Sequence, residues 1–232
     1  AGNFTITASG GTIDQGGYAS TFTGVLSNDG AAAGSLTVSN SGTVGAGSVT
    51  LQGVNTYTGA TTVDAGAKLA LSGAGSVATS SGVASNGVFD ISGTTSGASI
   101  KSLSGSGSVV TASGKSLSLT NASGTFSGSI SGAGGVNLTS GTETLSGTNT
   151  YTGATNVNGG TLNLTGSLAS TAVTVAGGTL TNANGGLAAG ANLTVNSGAV
   201  NINANDSIAS LNGTGGSVAL ASGKTADDLR AS

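Results

Sequence analysis

The sequence predicts an all-β protein, a parallel β-solenoid of about ten to twelve coils at about 20 residues per coil. Three observations predict this fold. Short apolar–polar alternations recur along the chain, several segments occur twice in the same order, and proline is absent from all 232 residues. Proline cannot donate a hydrogen bond to a strand ladder, so its absence suits a chain whose interior strands all need their N–H groups.

Each predicted strand is a short alternation of Val, Ile or Leu with Thr, Ser or Asn. Turn residues, mostly Gly, Asn and Ser, bound these segments. No window has the period of an amphipathic helix. In chain order the predicted strands cover residues 4–7, 35–39, 48–52, 68–72, 88–92, 116–120, 161–165, 173–176, 192–196 and 200–203.

The composition argues against several classes of protein. Hydrophobic residues make up 36% and the net charge is only −3, which is unlike a disordered chain. The five basic residues are scattered, so they form no phosphate-binding stripe and we expect no nucleic-acid partner. Because His and Cys are absent, the Ser-His-Asp, Cys-His and His–metal sites cannot be built. We expect no cofactor, no metal site and no catalytic residue.

Carboxylates are the remaining candidates for catalysis, since polysaccharide-cleaving enzymes use acids at fixed separations. No pair of acids recurs at coil spacing. Only Asp227 and Asp228 are adjacent, and strand alternation would point them to opposite faces. Glu143 and Asp64 lie near corresponding parts of different repeats. We therefore predict that the chain is not an enzyme. A polysaccharide-active enzyme stays as the third possible function, after two non-enzymatic ones.

Four landmarks occur in the same order in both halves of the chain. We therefore interpret residues 1–232 as a single β-helix made of two super-repeats, about 22–121 and 122–232. A stretch around 171–195 in the second half has the length of one additional coil. The landmark pairs are Phe22-Thr-Gly and Phe126-Ser-Gly, NTYTG at 55–59 and 149–153, GVFDI at 87–91 and GAVNI at 198–202, and GSVVTASGK at 107–115 and GSVALASGK at 216–224. Two β-sandwiches are the competing all-β prediction, with antiparallel hairpins and less self-similarity.

The two fullest repeat units cover about 51–78 and 145–168, around the shared word NTYTGAT. Because the whole word repeats and not the tyrosine alone, we favour a tyrosine packed at a turn, with its hydroxyl held locally, over an aromatic surface for glycans or partners. We predict the shared residues to be landmarks that set the fold. They are Leu51, Asn55, Tyr57, Thr58 and Gly59 in the first copy and Leu145, Asn149, Tyr151, Thr152 and Gly153 in the second.

The segment LSGTNTYTGATNVNGGTLNLTGS at 145–167 resembles the autotransporter-associated β-strand repeat, also called the passenger-associated transport repeat, of bacterial type V secretion. The resemblance is strong over about 51–72 and 124–168. The first copy departs from the second at the turn after the motif. There Asp64-Ala65-Gly66-Ala67-Lys68 stands in place of Asn158-Gly159-Gly160-Thr161-Leu162.

This resemblance implies a right-handed parallel β-helix in the passenger of an autotransporter, a class that includes adhesins and virulence proteins. It implies secretion across the outer membrane or display on the bacterial cell surface, with a C-terminal outer-membrane β-barrel translocator as partner. The implied function is a non-enzymatic structural segment that supports passenger folding and secretion and acts as a stalk. The alternative is an adhesin binding module that contacts host cells, matrix or other bacteria.

Overall fold

The computed structural model describes residues 2–44, 46–224 and 229–231. Within these residues there are 29 β-strands and no helix, and the strands wind into a β-solenoid of about eleven turns. The all-β prediction and the predicted number of coils are both confirmed. In this part of the chain, no helix with the length and apolarity needed to cross a membrane is present.

The strands are short, mostly two to five residues. The first fifteen are β1 (Phe4–Ile6), β2 (Gly11–Asp14), β3 (Ala19–Phe22), β4 (Leu26–Asn28), β5 (Leu36–Ser39), β6 (Ser48–Leu51), β7 (Thr61–Val63), β8 (Lys68–Gly73), β9 (Val83–Ser85), β10 (Val88–Thr94), β11 (Gly97–Ile100), β12 (Leu103–Ser104), β13 (Ser108–Thr111), β14 (Ser116–Leu119) and β15 (Thr125–Phe126). The others are β16 (Ser129–Gly132), β17 (Val136–Leu138), β18 (Thr142–Leu145), β19 (Thr148–Asn149), β20 (Thr155–Val157), β21 (Thr161–Leu164), β22 (Ser167–Leu168), β23 (Ala172–Val175), β24 (Thr179–Asn182), β25 (Ala191–Val195), β26 (Ala199–Ile202), β27 (Asp206–Asn212), β28 (Ser217–Leu220) and β29 (Leu229–Ala231).

Three columns of stacked strands form the main sides of the solenoid. The early side is the six-stranded sheet β3-β6-β8-β10-β13-β16, and the late side is the eight-stranded sheet β11-β14-β17-β20-β23-β25-β27-β29. The long side consists of the sheet β2-β5-β7-β9-β12, joined through a bridge between Gly105 and Phe126 to the sheet β15-β18-β21-β24-β26-β28. The two-stranded sheets β1-β4 and β19-β22 complete the set.

All pairings between the named strands are parallel, and each links one turn to the next. Gly11 pairs with Leu36, 25 residues on, whereas Thr161 pairs with Thr179, only 18 residues on, so the length of a turn varies along the chain. The prediction of two β-sandwiches is wrong, because sandwiches need antiparallel hairpins. Among the described residues the single antiparallel bridge, Ala112 with Lys115, lies in a turn.

The core is a stack of apolar ladders built from every second strand residue. On the early side one fully buried ladder runs through five consecutive turns, each member paired with the next. Its members are Val49, Leu69, Phe89, Val109 and Ile130. Burial of one such side chain contributes about 1.5–3 kcal/mol. Because each ladder is continuous, the solenoid has one core along its length.

The landmarks of the two sequence halves lie on different sides of the solenoid. Those of the first half that fall in strands lie in β3, β10 and β13 on the early side. Of the second half, three landmarks lie in β15, β26 and β28 on the long side, and the NTYTG word begins with Asn149 in β19. The stretch around 171–195 supplies β23, β24 and β25. That it forms an additional coil of the second half stays a prediction. The division of the chain into two super-repeats, with its boundaries, stays a prediction.

Candidate functional site

Both copies of the motif continue the inward–outward alternation of a strand through a segment with little regular pairing. From Leu51 to Thr61 every second residue is buried, and the same alternation runs from Leu145 to Thr155 with Gly147 and Gly153 half-buried. The two leucines begin these segments inside buried ladders that span three turns. The ladders are Phe22–Leu51–Leu71 and Phe126–Leu145–Leu164.

Asn55 joins three consecutive turns through its buried side-chain amide. Its Oδ1 accepts a hydrogen bond from the Leu26 N–H in the turn before, at 2.8 Å. Its Nδ2 donates to the Gly53 carbonyl at 3.1 Å and to the Ser76 carbonyl in the turn after, at 2.9 Å. We call an asparagine with these three bonds the asparagine clamp.

Asn149 forms the same clamp in the second copy. Its Oδ1 accepts from the Ile130 N–H at 3.1 Å, and its Nδ2 donates to the Gly147 carbonyl at 3.1 Å and the Ser167 carbonyl at 3.2 Å. The two clamps point to different sides, since β7 follows the first on the long side and β20 follows the second on the late side. The clamp is therefore a property of the local sequence, because it forms in the same way on two sides.

Tyr57 and Tyr151 are fully buried at the corner after the clamp. The Tyr57 hydroxyl lies 2.6 Å from Thr61 Oγ1, and the Tyr151 hydroxyl lies 2.7 Å from Thr155 Oγ1. Thr61 donates to Ser80 Oγ at 2.9 Å, so the Tyr57 hydroxyl is the donor of its bond to Thr61. Burial raises the pKa of both phenols, despite these hydrogen bonds, and keeps them neutral.

The glycines after the tyrosines are required by close backbone contact. A Cβ on Gly59 would lie 2.4 Å from the Gly34 carbonyl oxygen, and one on Gly153 would lie 2.4 Å from the Gly134 carbonyl carbon. Neither glycine has a positive φ. The neighbouring Thr58 and Thr152 are exposed, and Thr58 Oγ1 accepts a hydrogen bond from Asn28 Nδ2 at 2.9 Å. Thr58 and Thr152 thus lie outside the buried cluster.

The sequence difference after the motif is a one-residue insertion. Gly66 and Gly160 occupy the turn with φ of 81° and 71°. Val49 pairs with Leu69 in the first copy, and Glu143 pairs with Leu162 in the second, so these residues match between copies. Ala67 is the extra residue, and its side chain is buried.

Sequence reasoning missed the serines of the following turn. Ser80 Oγ donates to the Gly59 carbonyl at 2.8 Å, and Ser170 Oγ donates to the Gly153 carbonyl at 2.7 Å. Both are buried, and each ties its turn to the motif glycine of the turn before. A shared word, GSVA at 75–78 and GSLA at 166–169, precedes these serines and contains the serines that meet the clamps. That word is the signal that could have found them.

Within the part of the chain that the structure describes, the carboxylates do not form a cluster with the motif or with one another. Asp90 forms an ion pair of 2.8 Å with Lys68; burial opposes its ionisation, but Lys68 and Ser92 lower its pKa overall. Hydrogen bonds from Ser41 and Gly16 lower the pKa of Asp14. Asp227 and Asp228 lie outside the described residues. Among the residues described, no group of three or more potential metal ligands exists.

The expected correspondence between Glu143 and Asp64 is wrong. Glu143 occupies the place of Val49 in the core, because Val49 pairs with Leu69 as Glu143 pairs with Leu162. Asp64 follows β7, whose counterpart in the second copy is β20, so its match is Asn158 at the turn. The one-residue insertion and the short strands hid this register from the sequence.

Two segments of the chain, residues 44–71 and 140–164, match the family model of the passenger-associated-transport-repeat. No curated protein and no solved structure was found to match the chain. The first matched segment ends at Leu71, which stacks on Leu51, and the second ends at Leu164, which stacks on Leu145. Each match thus spans one turn and the strand that stacks upon it. The chain therefore contains two segments similar to the passenger-associated-transport-repeat, and each closes one turn of the parallel β-solenoid.

Proposed function

We propose that this chain is a non-enzymatic structural segment of a surface-displayed or secreted bacterial autotransporter passenger. Its NTYTG units support folding and secretion across the outer membrane, and its stacked turns act as a stalk. The observation that carries the proposal is the asparagine clamp, which bonds three consecutive turns in both copies. A C-terminal outer-membrane β-barrel is the partner that secretion of this kind requires.

The clamp suggests how one turn templates the next. When the turns of Leu26 and Asn55 are stacked, the Asn55 Oδ1 is already bonded and its Nδ2 faces the place that Ser76 will occupy. A buried donor without a partner costs about 1–3 kcal/mol, so arrival of the next turn is favoured. A chain that crosses a membrane turn by turn folds on the far side, and each stacking step opposes its return.

The test is display of this chain fused ahead of an autotransporter barrel, scored as protease-accessible protein on intact cells. Thr142 pairs with Thr161, so deletion of 142–160 removes the second NTYTG unit and leaves β21 able to stack on β15. Ala172 pairs with Asn192, so deletion of 172–191 removes a turn without the motif and serves as the matched control. We expect display to fall at least several-fold for the first deletion alone. Equal display of both deletions at equal expression would refute the role in secretion.

A binding module is the second candidate, and an uncharged polar ladder on the late side favours it. Asn137, Asn156, Thr174 and Thr194 stack outward on successive turns. Asn156 Nδ2 donates to Asn137 Oδ1 at 2.8 Å, and Asn137 Nδ2 donates to Ser118 Oγ at 3.3 Å. Substituting the four outward residues by Ala leaves the apolar ladders intact. Loss of adhesion to cells or matrix with unchanged circular dichroism supports this candidate, and unchanged adhesion supports the scaffold.

A further inference from the structure

Glu143 is a carboxyl group in the interior of the second repeat. It lies in the middle of β18 with 0% of its surface exposed. Neither carboxylate oxygen has a hydrogen-bond partner among the residues that the structure describes. Buried charges in proteins are ordinarily paired and hydrogen-bonded, so this group is an exception that needs a physical explanation.

The register identifies the neighbours of this side chain in the turns before and after. Leu162 is paired with Glu143 in the following turn, and Thr144 is paired with Thr125, which places Gly124 in the preceding turn. Gly124 is in close backbone contact at this point, because a Cβ on it would collide with the Leu103 carbonyl oxygen. The backbone N–H groups of Leu103 and Gly124 face the carboxyl group and offset part of the cost of its burial.

No ionisable side chain in the neighbouring strands faces this carboxyl group. The strands of the same and adjacent turns contain only apolar or uncharged polar residues beside Glu143; they are β11, β12, β14 to β17 and β19 to β22. The two nearest lysines in the chain are engaged elsewhere: the Lys101 ammonium donates to the Thr79 carbonyl, and Lys115 donates to the Thr94 and Thr95 carbonyls. Neutralisation of Glu143 within the folded chain therefore requires a proton.

We propose that Glu143 is a pH-sensitive switch in the solenoid core: the turn around β18 closes with this carboxyl protonated and loosens when it ionises. Burial raises the pKa of Glu143 from 4.5 to about 8, although the Leu103 and Gly124 N–H groups lower it in part. The inference concerns the stability of this turn and does not depend on the proposed role in secretion.

The sign of the pH dependence follows from the two pKa values. Between pH 4.5 and about 8 the folded chain holds one proton more at Glu143 than the unfolded chain does. The unfolding equilibrium constant of the region therefore rises roughly tenfold for each pH unit in this window. Below pH 4.5 the contribution is fully present, and above about 8 the dependence on this group ends.

The chain offers a direct measurement, because Glu143 is the only glutamate in its 232 residues. A sample labelled with ¹³C at the glutamate Cδ gives one glutamate carboxyl signal, whose shift reports protonation in the folded protein. We expect a midpoint near pH 8 in the folded chain and near 4.5 in denaturant. A folded-state midpoint below about 5, the range of an ordinary glutamate, would overturn the proposal.

Two variants test the consequence for stability. E143Q keeps the shape without the titration, and E143V restores the residue of the first copy in case the glutamine does not fold. Amide exchange of β15, β18 and β21, corrected for intrinsic rates, is compared at pH 6 and pH 8. We expect opening to increase about fiftyfold in the wild type, because the dependence levels off near the folded-state pKa, and far less in both variants. D29N, at an exposed position, and D206N, at a buried position, are the controls. Both should show the wild-type pH dependence of amide exchange in β15, β18 and β21. The same pH response in E143V as in the wild type would contradict the switch.

Discussion

At the scale of single residues, Asn55 and Asn149 are notable because a neutral amide satisfies backbone groups of three turns at once. A serine or aspartate has no equivalent combination of one acceptor and two donors. Leu26, Gly53 and Ser76 present an N–H and two carbonyls around Asn55, and the second copy presents the same groups around Asn149. Loss of the side chain therefore affects turns on both sides of the motif.

We predict that N149A and N55A each lower the free energy of unfolding by about 2–5 kcal/mol, because buried backbone groups lose their partners. Urea unfolding of the isolated chain measures the change, and amide exchange locates it in the turns before and after the motif. N137A, which removes an outward asparagine on the late side, is the control and should cost less than about 1 kcal/mol. A small effect of N149A, comparable with that of N137A, would show that the clamp is not a source of stability.

The two tyrosines allow a comparison within one molecule. Without the Tyr57 hydroxyl, Thr61 Oγ1 still has its hydrogen bond to Ser80. Without the Tyr151 hydroxyl, Thr155 Oγ1 has no side-chain hydrogen bond left among the described residues. We therefore predict that Y151F costs about 1–2 kcal/mol and Y57F less than that. Chemical denaturation of the two single variants under the same conditions measures the difference. The reverse order would mean that the Ser80 bond does not support Thr61.

At the scale of elements, the sequence predicts some strands and misses others, among them the seven-residue β27 and the four-residue β13 and β18. All ten predicted segments contain a strand, and nine of them have two inward apolar residues that set the period; in the segment 4–7 Ile6 is buried and Phe4 is exposed. The strands β12, β15, β19 and β22 have two residues each, too few to establish an alternation. They become strands because the turns before and after them supply the partners. Their positions therefore depend on stacking, which a single sequence segment does not encode.

The candidate site shows the same division between local and stacked information. The word NTYTG identified the clamp and the buried tyrosines, since both are built largely within the motif. Ser80 and Ser170 lie one turn further on and belong to the site through stacking alone. Glu143 was considered as a possible catalytic acid, and its place in the core became clear only from its register with Leu162. Residues that act across turns can be located only when the coil length is known, and the offset between paired residues varies from 29 to 17 here.

The loop between β24 and β25 is an element held by two buried polar side chains. Asn182 Oδ1 accepts from the Gly186 N–H at 3.0 Å, and Asp206 Oδ1 accepts from the Leu187 N–H at 3.2 Å. Asn182 Nδ2 also donates to Asp206. Burial raises the pKa of Asp206, with the Leu187 hydrogen bond opposing this in part.

We predict that D206A loosens residues 183–190 while the turns on either side stay folded. Loss of the buried acceptor costs about 1–3 kcal/mol, so opening of the loop should increase at least several-fold. Limited proteolysis followed by mass spectrometry measures cleavage within the loop. D29N, at an exposed position, should leave the cleavage rate unchanged. Cleavage spread evenly along the chain in D206A would mean that Asp206 supports the whole solenoid and not this loop.

At the scale of the whole molecule, stability is distributed along a one-dimensional stack. Each turn pairs with the turns before and after it, so the free energy is approximately a sum of turn and interface terms. A turn can then be removed whole if the strands that it separated can pair with each other. The register makes this condition concrete for the turn of β23 and β24, where Ala172 pairs with Asn192 and Thr179 with Ala199.

We predict that deletion of 172–191 leaves a folded solenoid one turn shorter, whereas deletion of 172–181 does not. In the first variant β25 stacks on β20 and every ladder keeps its inward residues. The second removes about half a turn, so strands from different sides face each other and the apolar ladders are interrupted. Circular dichroism, urea unfolding and amide exchange across β20 and β25 measure the outcome. In each affected region, the free energy of unfolding of the shorter solenoid should lie within about 2 kcal/mol of the wild-type value. One interface between turns replaces two, and the other interfaces are retained. If both deletions unfold the residues after 192 equally, stability is not additive over turns, and the core acts instead as a single cooperative unit.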